Sequence, residues 1–289
     1  MSFSVGIGIV TYNRKDIVGE TIDRVRTFTR HPDAALVVAD DGSTDGTLTM
    51  LRDKRVPLVT GSNMGIAWNK NRALFLLSQR LNCEIVILLE DDTQPSVAGW
   101  EAEWISAARR WGHVNYAADW MRPYFVTGSG TAEDPRQSTM VTAQCAAYAS
   151  TALAYAGYFD PLFKGYGHEH VEHTRRLIHL GHGGTERRTD TGEPLLYKLI
   201  DGGLTVATSQ SHRDDAQEQH NEKLAMDLMK QSDYCPPWHS DTERRQFRLE
   251  IENAIAGDPA RFRLAPDRTA GLGRPPPIPG AFSPLFRPA

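Results

Sequence analysis

The sequence predicts an α/β fold, a mostly parallel central sheet with helices on both faces, followed by a helical C-terminal extension. Three observations carry this. Short apolar runs rich in β-branched residues alternate with helical patterns. The runs are apolar throughout rather than every second residue, as in strands covered on both faces. Three of them end in the polar clusters DDGSTDG, GSNMG and EDD, at the carboxyl ends of strands, where open α/β sheets take their ligands.

In order, residues 5–10 form the first strand, then the turn-like TYNR and the helical DIVGETIDRVRTF. AALVVA at 34–39 is a second strand, ending in DDGSTDG. VPLVT at 56–60 is a third; it runs into GSNMG and the helix IAWNKNRALFLLSQRL. CEIVILL at 83–89 is a fourth and ends in EDD. Beyond residue 96 the pattern is less regular, with a Trp-rich helix (GWEAEWISAARRW), a loop carrying Gly128, Gly130 and Pro135, and then QCAAYASTALAYAGYFDPLF. TRRLIHLGH continues a helix, and LTVATSQSHRDD reads as a strand running into a polar loop. Residues 215–257 read as two helices broken by CPPWHSD, and the Pro/Gly-rich tail is not a packed element on its own.

With 289 residues the chain has room for one large or two modest cores. Its 40% hydrophobic and 24% charged content is that of a globular protein. A net charge of -4 leans against nucleic acid or an anionic membrane as an obligatory partner. Cys83, Cys145 and Cys235 are scattered and contain no CxxC pair, which suits a reducing compartment. The N-terminus has no basic leader and IVILL is far too short to span a bilayer, so a cytoplasmic location without a membrane span is expected.

Glu90 and Asp92 stand two apart at a strand end, which directs their carboxylates to one side if the extended geometry persists. Such a pair repels unless a cation joins it, and Mg2+ or Mn2+ takes carboxylate oxygens alongside substrate phosphates; a solvated acidic turn is the plainer alternative. In DDGSTDG, Ser43 or Thr44 suits an N-cap with Asp45 in the first helical turn, which leaves Asp41 free for a ligand. The glycines of GSNMG permit close backbone approach.

The order IVTYNR, VVADDGSTDGT, GSNMGIAWNKNRAL, IVILLEDDTQP and AGYFDPLFKGYGHEH resembles the GT-A glycosyltransferases, family 2 in particular, over roughly residues 3–215. The resemblance implies a GT-A fold over 1–215, with 1–115 as the nucleotide-sugar half, 116–215 as the acceptor half and 216–289 as the helical extension. It implies a nucleoside diphosphate sugar as donor, a UDP-sugar foremost, and Mn2+ or Mg2+ as cofactor. The acceptor is a hydroxyl on a glycan, protein or small molecule. By position Thr11, Tyr12, Asp41 and Asp91 contact the nucleotide. The DxD metal motif falls on Glu90-Asp91-Asp92, with Asp92 the direct ligand and Glu90 in the first acidic place.

GYGHEHVEH at 165–173 invites a zinc reading, which fails. Four residues on from His168 is Glu172, so HExxH is absent, and HxxEH ending at His173 would begin at Glu169. A plain helix start, with Glu169 and Glu172 complementing the dipole, accounts for the charges. His173, His179 and His182 are read as ordinary surface or packing residues. The segment also resembles the acceptor end of β-1,4-galactosyltransferases, which places the catalytic base at Glu169-His170. Either residue, or Glu172, remains open for that role, as does a retaining reaction without a base. His212 in SHRDD resembles the histidine that completes the galactosyltransferase metal site. A sugar nucleotidyltransferase and a non-catalytic sugar-nucleotide or glycan-binding module are the competing functions.

Overall fold

The computed structural model describes residues 4–187, 190–208, 214–228 and 234–258, together with Phe262. His212 and the Pro-rich tail lie outside the described residues. The strands are β1 (Val5–Thr11), β2 (Ala34–Asp40), β3 (Leu58–Thr60), β4 (Ile85–Glu90), β5 (Thr93–Pro95) and β6 (His113–Tyr116), then β7 (Phe125–Thr127), β8 (Arg136–Ser138), β9 (Cys145–Ala149), β10 (Gly184–Thr185), β11 (Leu196–Ile200) and β12 (Leu204–Val206). The helices are α1 (Lys15–Phe28), α2 (Thr47–Asp53), α3 (Ile66–Phe75), α4 (Glu101–Trp111), α5 (Ser150–Ala156), α6 (Glu169–His179), α7 (Asp215–Leu228) and α8 (Asp241–Gly257).

Among the described residues the main sheet runs β3-β2-β1-β4-β9-β6-β11-β8-β7, with β10 beside β11. Strands β3, β2, β1 and β4 are mutually parallel, and β6 and β11 are parallel to each other. The antiparallel β9 lies between these two groups. The central strand β1 pairs Thr11 with Asp40 on one side and Val10 with Glu90 on the other. The acidic ends of β2 and β4 therefore flank Thr11 at one sheet edge.

Side-chain alternation splits the core into two layers. Val5, Ile7 and Ile9 of β1 and Ile85, Ile87 and Leu89 of β4 pack under α1 and α4, with Val18, Ile22 and Trp104. Val86 and Leu88 face the opposite layer, which holds Trp68, Leu74 and Phe75 of α3, Leu153 of α5 and Phe247, Ile251 and Ile255 of α8. Gly8 is where α3 lies closest to β1: a Cβ there would stand 3.1 Å from the Ala73 Cβ.

The two helices expected between 215 and 257 are α7 and α8. Ser240 caps α8 by accepting the Glu243 N–H at 3.2 Å. The expected cap at Ser43 or Thr44 differs. Helix α2 begins at Thr47 after Gly46 at φ 90°, with no side-chain cap. Ser43 instead accepts the Asn13 N–H at 2.8 Å, and Thr44 N–H donates to Asn13 Oδ1 at 2.7 Å. These side chains tie the first two loops together, so the chain needs one further turn before the helix. No helix among the described residues is long and apolar enough to cross a membrane.

Candidate active site

The site is built around Thr11. Its carbonyl accepts the Asp41 N–H at 3.1 Å, and its hydroxyl donates to Asp91 Oδ2 at 2.8 Å. Arg14, from the TYNR turn, donates to Asp91 Oδ1 at 2.7 Å and to Asp92 Oδ2 at 3.1 Å. Burial pushes the Asp91 carboxyl up to about 6, against the opposing pull of Arg14 and the Thr11 hydroxyl. The carboxylates that share the Arg14 guanidinium are thus Asp91 and Asp92, whereas Glu90 is paired with Lys70. The strand ends at Glu90, and the alternation ends with it. The edge strand β12 ends nearby, where the Ala207 N–H donates to the Asp92 carbonyl at 2.8 Å.

Asp41 is almost wholly enclosed. Its Oδ1 accepts the Met64 N–H at 3.0 Å and Arg72 Nη1 at 2.7 Å, and its Oδ2 accepts the Gly65 N–H at 2.9 Å. Burial raises its pKa although Met64 and Arg72 favour the anion. Three of roughly four lone-pair sites are filled, leaving one on Oδ2 for a ligand. Tyr12 stands at the rim, 45% exposed. The GSNMG loop closes on the segment that leads into α6: the Ile66 N–H donates to the Gly165 carbonyl at 3.0 Å. A Cβ on Gly65, at φ 92°, would come within 2.9 Å of Gly165 N, so only glycine allows this approach.

Glu90 turns away from the two aspartates toward Lys70 of α3. Lys70 Nζ donates to Glu90 Oε1 at 3.1 Å and to Glu169 Oε1 at 2.9 Å. Burial alone would lower the Lys70 pKa; the two glutamates outweigh that and raise it. Burial would likewise raise Glu169, but Lys70 and the neighbouring His170 prevail and hold it far below the ordinary carboxylate range. Glu169 Oε2 also accepts the Gly167 N–H at 3.1 Å. His170 Nδ1 lies 3.5 Å from Glu169 Oε1, and its side chain stays 20% exposed.

The other residues of the HEH segment have structural partners. Glu172 is clamped by Arg176 at 2.9 and 2.7 Å, and Arg176 also donates to the Ala156 and Tyr158 carbonyls. His173 is buried, with Nε2 3.1 Å from the Gly157 carbonyl and its ring centroid 4.3 Å from that of Phe159, the planes tilted by 50°. His179 pairs with Glu186 at 2.6 Å on the surface.

The structure thus brings Thr11, Asp41, Asp91 and Asp92 to one edge, and joins Glu90 to Glu169 and His170 through Lys70. Lys70, Arg14 and Arg72 were not singled out from sequence. Among the described residues no three His, Cys, Asp or Glu side chains gather as a metal cage. The carboxylates of Asp91 and Asp92 are nevertheless hard oxygen donors of the kind that Mg2+ or Mn2+ takes.

Residues 6–121 match the family model described as glycosyl transferase family 2. The protein is a glycosyltransferase. Solved structures bear out the fold of this glycosyltransferase. The mannosyltransferase PcManGT from Pyrobaculum calidifontis, solved with GDP-Man and Mn2+, superposes with a TM-score of 0.53 at 16% identity, over 89% of this chain and 75% of that one. GalNAc-T7, solved with UDP, GalNAc and Mn2+, gives 0.52 at 13% identity, over 92% of this chain and 59% of that one. S. aureus TarS gives 0.52 at 14% identity, over 87% of this chain and 43% of that one. The glycosyltransferase thus spans well under two thirds of GalNAc-T7 and of TarS. No curated protein matches the chain. The fold is GT-A with a family 2-like N-terminal part.

Proposed function

We propose that this glycosyltransferase moves a sugar from a nucleoside diphosphate sugar, a UDP-sugar foremost, to an acceptor hydroxyl with inversion and with a divalent metal. Residues 1–115 form the donor half and 116–215 the acceptor half. One observation carries the reading: Lys70 joins the end of β4 to the start of α6, so the acidic edge and the base pair of the acceptor loop belong to one site.

The Tyr12 ring and the remaining Oδ2 lone pair of Asp41 receive the nucleoside. Asp92 and Asp91, which share Arg14, would hold the metal. Glu90, paired with Lys70, acts as a counter-charge, and His212 is the proposed third protein ligand. When bound there, Mn2+ or Mg2+ would supply stabilisation of the charge that develops on the leaving diphosphate.

His170 takes the proton from the acceptor hydroxyl at Nε2. Glu169, kept anionic by Lys70, orients the ring and stabilises the imidazolium that forms. At 3.5 Å the two are not hydrogen-bonded, and the role requires that the contact tighten when substrate binds. This assignment rests on the resemblance in sequence of residues 165–173 to the acceptor end of the β-1,4-galactosyltransferases, with histidine in the place of the carboxylate base. Glycan, protein and small-molecule hydroxyls all remain candidate acceptors for a protein expected in the cytoplasm.

The test is release of nucleoside diphosphate from UDP-, GDP-, CDP- and TDP-sugars with MnCl2, accompanied by an anomeric assignment of the product. Release with inverted configuration is expected. Pyrophosphate formed from a nucleoside triphosphate and a sugar phosphate would make the protein a nucleotidyltransferase, and binding without turnover would make it a recognition module.

A further inference from the structure

We propose that the C-terminal helix α8 is a working part of the donor site, with Glu250 as a positioning residue for the nucleoside pocket. This rests on the donor-site reading above. Helix α8 follows the family 2 segment by more than a hundred residues, yet Glu250 reaches back into it. Its Oε2 accepts Arg72 Nε at 3.0 Å and Trp68 Nε1 at 3.0 Å, and its Oε1 accepts Gln246 Nε2 at 3.1 Å.

Arg72 is wholly buried, and each side of its guanidinium has a different partner. Nε faces Glu250. Nη1 donates to Asp41 Oδ1 at 2.7 Å and to Asn69 Oδ1 at 3.2 Å, and Nη2 donates to the Ser62 carbonyl at 2.8 Å. The guanidinium is a rigid planar fork, so fixing its Nε side aims the other two nitrogens. Asp41 in turn holds the Met64 and Gly65 amides. A single line of charge therefore runs from α8 through Arg72 to the DDG and GSNMG loops, the two loops assigned to the nucleoside end.

Packing supplies the register. Phe247, one turn before Glu250, sits 5.3 Å from the Trp68 ring and 5.4 Å from the Phe75 ring, both edge-on. Phe247 docks the helix, and Glu250 orients the arginine. Without Glu250 the buried guanidinium keeps Asp41 as its only carboxylate, and its Nε has no anion to set the plane.

Glu250→Gln keeps the shape and an acceptor for Trp68 but removes the charge; Phe247→Leu weakens the docking but keeps the charge line. UDP, GDP, CDP and TDP are titrated calorimetrically with MnCl2 into both variants and the wild type, at a temperature where near-UV circular dichroism shows all three folded. The expected result is about tenfold weaker binding of the accepted nucleotide by E250Q. F247L should bind within about twofold of wild type despite a lower melting temperature. Wild-type affinity in folded E250Q, or an equal loss in F247L, overturns the positioning role. A wild type that binds none of the four overturns the donor-site reading itself, and this inference with it.

Discussion

Lys70 and Glu169 form a buried ion pair, 2.9 Å apart, with each side chain only 2% exposed. Neither charge has water to fall back on, and Glu90 is the other carboxylate on the lysine. Lys70→Met leaves the Glu169 carboxylate buried without its counter-ion, which costs about 3–5 kcal/mol. The double variant K70M/E169Q, which removes both charges, should recover a large part of that loss. Urea denaturation measures both. A single variant as stable as wild type would mean that Glu169 has another partner.

His170 is expected to govern the chemical step rather than binding. His170→Asn should lower kcat by about 10²–10⁴-fold with little change in donor KM. Glu169→Gln should be milder, because it removes the anion that stabilises the imidazolium but leaves the base in place. Steady-state kinetics across pH separates the two. Near-normal kcat in H170N would shift the base role to another group.

Acid stability should depend on His113. Burial pushes its pKa down to about 3, although the Ala147 carbonyl, 3.0 Å from Nδ1, favours a proton there. The unfolded chain takes up a proton near 6.5 that the folded chain refuses until about 3. Folding therefore loses stability as pH falls through that window, and has the full contribution above it. His113→Gln should flatten this part of a melting-temperature profile against pH. An unchanged slope would assign the acid loss to other groups.

Asp92 is expected to be indispensable to turnover. Asp92→Ala and treatment with EDTA should each abolish nucleoside diphosphate release, and MnCl2 should restore only the chelated wild type. Full activity in both cases would remove the metal from the reaction.

Much of the fold is legible in the sequence because it rests on local pattern. The runs that become β1, β2 and β4 are apolar at nearly every position, and α1, α3, α4, α7 and α8 follow clear helical spacing. The acidic loop ends are legible for the same reason, since parallel strands in one sheet end at one edge. Strand β9 was harder: CAAYA is poor in β-branched residues and becomes a strand by filling the gap between β4 and β6. That Asp91 and Asp92 share Arg14 was not legible, because strand alternation ends at Glu90 and gives no direction to the side chains of the turn that follows. Lys70 and Arg72 were missed for a physical reason. A cation on a helix reads as solvent-facing, and only the tertiary fold shows that α3 turns both inward onto carboxylates from distant segments.

The central claim is that a divalent ion and a diphosphate meet at the ends of β1, β2 and β4. The most direct measurement is a crystal structure with a nucleoside diphosphate and MnCl2, with anomalous data collected at the manganese edge. The account predicts one anomalous peak within coordination distance of Asp92, with the diphosphate on it and the nucleoside beside Tyr12 and Asp41. A nucleotide bound elsewhere, or a peak remote from Asp92, would contradict it.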